Sequence, residues 1–330
     1  MINTFPHRQS GLSLVELMIA ITLSLLLIAG VLQIFLSSKQ TYSTNNALSR
    51  VQESGRFAMD FLTQDIRNTG YKGQCMGEPK NHGVTEVLWR LDDPIEGWND
   101  VETRPAQLPD TPAGTPVEGT DAILIKFAAG PEEMAAASSN TATNQTIDLG
   151  TNASGVAQHA ITLISDAISC DLFRNTAATN ATSVARAAGS EWTHDYTDIT
   201  EVLPLQNATY YIRANSNGRP NSLVRQRLGV KNNNPNWLDP EELVDGVEDM
   251  QIQYGIAGLD RQVTDYVTAD DVTDWGNVVA VRINLLVVSA DTNVVPEDQV
   301  IAFNGDDVTI ANRRLAQVFS TTISIRNRLP

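Results

Sequence analysis

Glu16 is the residue whose chemistry most needs a partner. It stands immediately before Leu17 to Leu36, a run of twenty residues with no charge and only Thr22, Ser24 and Gln33 as polar interruptions. A carboxylate carried into a bilayer costs on the order of 3 kcal/mol at the centre and less near the face. Such a residue needs a partner, which makes it a candidate functional residue. The second candidate is the cysteine pair, Cys75 and Cys170. Two cysteines in an oxidising compartment form a disulfide, and the alternative is two buried free thiols. Neither has a second cysteine nearby, so zinc held through a C-x-x-C pair is excluded.

The other chemistry-bearing residues are weaker. His7 precedes the apolar run, and His82, His159 and His194 lie in loop-like sequence, where a surface histidine is the expectation. His82 with Glu86, or His194 with Asp195, supplies two metal ligands, which is short of a site. Asp270, Asp271 and Asp274, and the Asn304-Gly305-Asp306-Asp307 run, are oxygen-rich but lack the D-x-D-x-D-G spacing of a calcium loop, and solvated acidic loops are expected. Arg313, Arg314, Arg326 and Arg328 stand without an acid between residues 311 and 330. They form either a basic patch for DNA or an acidic neighbour, or charges that blunt a strand edge. G-x-S-x-G, H-E-x-x-H, G-x-G-x-x-G and P-loop motifs do not occur. No enzyme, no cofactor and no metal site is expected.

The elements that position these residues follow from hydropathy. Leu17 to Leu36 is about 30 Å long as a helix, enough to cross a hydrocarbon core. It is too long for the apolar region of a secretory signal, and no A-x-A cut follows it. No proline occurs between Lys39 and Asn68, and Leu48, Val51, Gly55, Ala58, Leu62 and Ile66 recur at steps of three and four. One helix is therefore expected from Leu12 to Asn68, stopped by Thr69-Gly70-Tyr71. Charge divides the chain at the same point: of a net −16, residues 1 to 70 carry +1 and the rest −17. That acidity argues against nucleic-acid binding by the body.

Beyond residue 70, residues 92 to 120 are rich in proline, glycine, aspartate and threonine and read as loop, followed by a strand from Ala122 to Phe127. Residues 134 to 160 and 175 to 190, dominated by alanine, serine, threonine and asparagine, read as exposed loops around short strands such as Ile161 to Ile164. From residue 202 the β pattern strengthens. Tyr210 to Arg213 and Leu223 to Leu228 read as a hairpin. Met250 to Ile256, Val279 to Val287 and Phe319 to Ile325 alternate with period two. An antiparallel sheet with one buried face results, and the long helix is its expected cover.

Gly11 followed by Leu12-Ser13-Leu14-Val15-Glu16 and the apolar run resembles the signal of type IV prepilins. The segments 65–75, 244–255 and 279–288 and the terminal Ile325-Arg326-Asn327-Arg328 resemble the PilW-type minor pilins. The resemblance implies a leader (1–11) removed by prepilin peptidase between Gly11 and Leu12, N-methylation of Leu12, and a Glu16 carboxylate that neutralises the terminal ammonium of a neighbouring subunit during assembly. Leu12 departs from the usual phenylalanine, and Gln33 stands where major pilins have a helix-breaking proline. The fold implied is α+β, type IV pilin-like: a long N-terminal helix (12–68, with 17–36 transmembrane) packed on an antiparallel β body (69–330) in the periplasm. The partners implied are other minor pilins and the major pilin, prepilin peptidase, the inner-membrane assembly platform, a large tip adhesin, and membrane lipid before assembly. The implied role is assembly or priming of the pilus at or near the tip, supporting twitching, adhesion or DNA uptake. The rivals are a minor pseudopilin of a type II secretion system and a periplasmic enzyme or ligand-binding domain on a pilin-like anchor. Residues 92 to 200 resemble nothing recognisable.

Overall fold

A computed structural model describes residues 13–84, 91, 93–101, 116–130, 134–197, 199–216, 218–258 and 262–328. Leu14–Asn68 is a single α-helix of 55 residues, about 82 Å long, uninterrupted because no proline falls within it. Within its apolar half, Thr22 and Ser24 return their hydroxyls to the carbonyls of Ile19 (2.9 Å) and Ala20 (2.7 Å), so these polar interruptions need no external partner. The helix stops where Gly70 takes a positive φ of 75° and its N–H bonds Lys126 O at 2.9 Å, which turns the chain into the body.

The buried stripe of the helix is Ala47, Val51, Gly55, Ala58, Leu62 and Ile66. Its expected first member, Leu48, is 36% exposed and Ala47 takes its place, because the lower part of the stripe, Ala47-Val51-Gly55, advances by fours. The stripe packs on a four-stranded antiparallel sheet, the stem sheet, ordered Val263–Val267, Val247–Ala257, Val278–Val288, Ala316–Ser324. The register sets Ile252 beside Ile283 and Ile283 beside Thr321. Val281, Ile283, Leu285, Val287 and Ile323 thus enter one core with the helix, while Arg282 and Asn284 face away. The expectation of a single buried face fails at one end. There Leu286 and Val288 are covered on the other face by the hairpin Gln299–Phe303/Asp306–Ile310, through Phe303 and Ile310.

A central six-stranded sheet runs in the order Asn234–Trp237, Ser222–Lys231, Ala208–Arg213, Ala122–Ile125, Ile95–Trp98, with Glu241–Asp245 also paired to Ser222–Lys231. Its inward residues Ile95, Ile123, Tyr210, Ile212 and Leu223 belong to the same core as the helix and the stem sheet. A distal five-stranded sheet follows, ordered Lys80–His82, Cys170–Arg174, Ile161–Ser165, Ile199–Pro204, Met134–Ala135, with its first pair parallel and the rest antiparallel.

The low-complexity stretches expected as exposed loops are instead part of a second core. Ile147, Leu149, Val156 and Val184 are buried with Phe173, Trp192 and Tyr196, and Thr146–Asp148 pairs with Ser183–Ala185. Asparagines hold this region by serving its backbone. Asn140 donates to Asp148 O and Tyr196 O, both at 2.9 Å, and accepts from Asp148 N at 2.9 Å. Asn175 accepts from Ala177 N and Ala185 N. Small side chains with polar tips replace a regular ladder here.

Candidate functional site: the N-terminal stem

Ser13 caps the helix in extended conformation, and a capping box closes around it: Glu16 N donates to Ser13 Oγ at 3.2 Å while Ser13 N donates to Glu16 Oε2 at 3.0 Å. The Glu16 carboxylate is thus turned back toward the start of its own chain, toward the positive end of the helix. The S-x-x-E pattern at Ser13–Glu16 is the sequence signal for this box, and the prepilin-type reading of the same residues passes over it. Gly11 and Leu12, the expected cleavage and methylation positions, lie outside the described residues.

From Leu17 to Leu36 the helix is apolar on every side and, among the described residues, exposed throughout: Leu26 is 71% and Leu27 70% exposed. A helix without a polar face is stable only in lipid or among other apolar helices. It is long and apolar enough to cross a membrane. Among the described residues the body grips the helix only above this segment. Gln40 Nε2 and Thr44 Oγ1 donate to Val294 O at 2.5 and 2.8 Å. At the upper end Tyr210 donates its hydroxyl to Asp65. Arg225 stands 3.5 Å from Asp65 and 3.0 Å from Glu241. Burial and the Asp65 carboxylate both push the Tyr210 hydroxyl well above its ordinary pKa, so it stays a donor. Just past the helix, Cys75 and Cys170 are joined as a disulfide with Cα atoms 5.4 Å apart, tying the stem exit to the distal sheet.

His82, expected at the surface, is a correction. It is 8% exposed on the strand Lys80–His82. Its Nε2 lies 2.5 Å from Asp171 Oδ1 and its Nδ1 2.5 Å from Ser190 Oγ. With Nε2 donating to the carboxylate, Nδ1 is left to accept from the serine. Asp171 also accepts from Thr193 N (3.1 Å), Thr193 Oγ1 (2.9 Å) and Tyr196 OH (2.6 Å). Burial opposes the charge, but the bonds from His82, Tyr196 and Thr193 hold the Asp171 pKa below its ordinary value. The order serine, imidazole, carboxylate is that of a nucleophilic relay. Here the carboxylate joins three chain segments in the distal core. No local sequence signal brings residues 82, 171 and 190 together.

The remaining candidates disperse. His194 stands 3.4 Å from Asp166, and Asp195 accepts from Ala142 N. Glu86 lies outside the described residues. Asp274 caps a short turn through Gly276 N at 2.8 Å, and Asn304-Gly305, both with positive φ, make the tight turn of a hairpin. Among the described residues no group of three or more potential metal ligands converges. The four arginines do not make one patch. The strand Ala316–Ser324, about 30 Å long, separates one pair from the other. Arg314 is buried and donates to Ser289 O (2.6 Å), Ala290 O (2.7 Å) and Gly218 O (2.8 Å), while Arg328 donates to Trp275 O at 2.9 Å.

Residues 209–327 match the family described as Type IV Pilus-assembly protein W, and residues 6–32 match the Prokaryotic N-terminal methylation motif. No curated protein and no solved structure matches the chain. The first match spans the central hairpin and the whole stem sheet; the second spans Gly11, Leu12, Glu16 and most of the apolar run. The pilin family domain is a structural one, not known to be catalytic. The chain therefore carries the N-terminal methylation motif of prepilin-type proteins and a type IV pilus-assembly protein W domain, on the α+β layout of a long apolar helix and a β-rich body.

Proposed function

We propose that the chain is a minor pilin that takes part in assembling or priming the type IV pilus at or near its tip. In this reading prepilin peptidase cuts between Gly11 and Leu12 and methylates Leu12. Leu17 to Leu36 holds the subunit in the inner membrane, with the body in the periplasm, until extraction into the fibre. The observation that carries the reading is the free lower stem: apolar on every side, gripped among the described residues only from Gln40 upward, and headed by one carboxylate. Once cleavage creates a charged amine at residue 12, Glu16 is the acid placed to meet the amine of an adjacent subunit. The PilW match favours the pilus over a type II secretion pseudopilin.

The test is Glu16→Gln beside Glu16→Ala. Glutamine keeps the capping bond to Ser13 N but removes the charge, so the two variants separate helix capping from charge pairing. Both are expected to be cleaved and inserted normally and to fail in cross-linking to other minor pilins. Wild-type surface piliation and cross-linking in Glu16→Gln would refute the role of the charge.

A further inference from the structure

The strand Ala316–Ser324 is the outer edge of the stem sheet, and its hydrogen-bond parity can be read from its ends. Ser289 N donates to Leu315 O at 2.7 Å and Ile325 N to Val279 O at 2.9 Å. Odd-numbered residues therefore exchange bonds with the neighbouring strand, and even-numbered ones turn their N–H and C=O outward. Ala316 N is taken by Gln299 Oε1 at 2.7 Å. Val318, Ser320, Thr322 and Ser324 have no backbone partner on that side among the described residues. Folded proteins blunt such edges, and this chain does so elsewhere. Lys80, Glu96, Pro235, Glu241 and Asp265 mark five other edge strands, and Met134–Ala135 is only two residues long. The nine residues of Ala316–Ser324 contain neither a charge nor a proline.

The surroundings specify the occupant. Arg56, Asp60, Thr63 and Arg67 share one stem face by their spacing of four, three and four. Arg67 and Arg326 line a cleft of about 530 Å³ with Asp60 at the end of this strand. Arg56 and Arg67 on the stem and Arg326 on the body are exposed and make no ion pair or hydrogen bond among the described residues, beside a body of net −17. The opposite edge of the same sheet, Val263–Val267, is acidic: Asp265 is exposed on it, and Asp270 and Asp271 follow closely. Three successive antiparallel pairings make Val263–Val267 run antiparallel to Ala316–Ser324. A second subunit of the same layout, displaced sideways by one sheet width, sets its acidic edge antiparallel against the basic one and keeps the two stems side by side. Such a head-to-tail contact remains open to further addition.

On these grounds, and resting on the pilin reading above, we infer that Ala316–Ser324 is a docking edge that takes the acidic edge strand of a neighbouring pilin-type subunit by β-augmentation. The test places a photo-cross-linking residue at Thr322 of the full chain in its own cells and maps the adduct by mass spectrometry. The expected adduct lies on an acidic edge strand of a pilin-type subunit, this chain or another. It falls at least tenfold in Ser320→Pro, which removes an outward N–H without costing the sheet a bond, and severalfold in the pair Arg67→Glu/Arg326→Glu. No adduct, an adduct on a stem helix or a loop, or an adduct unchanged in both variants overturns the inference. Recovery of the chain in sheared pili is scored separately. A chain present in pili without the edge adduct overturns this inference alone, whereas an edge adduct without recovery in pili supports the edge and counts against the pilin reading.

Discussion

The Phe319 ring lies directly against Gly55, so close that a methyl group added at residue 55 would overlap it. The stem and its sheet approach closely here, and a hydrogen side chain is what permits it. Gly55→Val is expected to lower stability by about 1–3 kcal/mol through overpacking, even though leaving glycine raises helix propensity. Phe319→Ala in the same chain should recover part of that loss, giving a non-additive cycle. Thermal unfolding of the detergent-solubilised chain measures it, and a Gly55→Val variant as stable as the parent would show the contact to be loose.

Removing the Cys75–Cys170 bond should release a loop of 95 residues' separation, worth about 4–5 kcal/mol in the chain-entropy account. Cys75→Ser/Cys170→Ser is expected to unfold at a clearly lower temperature and to be cleaved sooner by protease near residues 72 to 84. Equal melting of the reduced and oxidised chain would count against this.

Stability should fall as pH rises from about 5 to about 8. Burial, together with the charges of Asp100 and Asp249, pushes Asp121 up to about 7 against the backbone bonds it accepts from Asp100 N and Ile252 N. Burial also raises Glu96, Glu248 and Asp249. These groups hold protons in the folded chain at a pH where the unfolded chain, with ordinary values near 4, has lost them. The stability they contribute is therefore lost through the interval up to about 7. Asp171 and Asp245, held low, contribute the opposite slope only below about 4. Asp121→Asn should flatten the profile, and a melting temperature that climbs between pH 5 and 8 would contradict the assignment.

Asp171→Asn should destabilise the body by about 3 kcal/mol or more, because it removes the charge on which His82, Thr193 and Tyr196 converge. Ser190→Ala, at an exposed position, should change stability by no more than about 0.5 kcal/mol. A serine-directed fluorophosphonate is expected to leave Ser190 unlabelled. Labelling lost in both variants would instead mark a hydrolytic site in the body.

The stem and its sheet were legible because their signals are local: an uncharged run, a proline-free stretch, and alternation at Val279 to Val287. The capping box at Ser13 and Glu16 was equally local. The distal core was hidden for a physical reason. Its ordering rests on Asn140 and Asn175 bonding to backbone in place of a regular ladder, and on Asp171 gathering residues far apart in the chain, so composition there mimics a solvated loop. Arg314 misled in the same way, since its burial depends on carbonyls of Gly218, Ser289 and Ala290 that no spacing reveals.

The two clasps on the helix, Gln40 and Thr44 at Val294 and Asp65 at Tyr210 and Arg225, have a mechanical consequence. They stand 21 residues apart between Thr44 and Asp65, about 31 Å along the axis. A pull along the stem reaches the body at both points and across the stripe between them together, so the joint is loaded in shear and no single contact has to open first. The free segment below Gln40 works as a tether of fixed length, and tension on it is delivered to the head without peeling the head away.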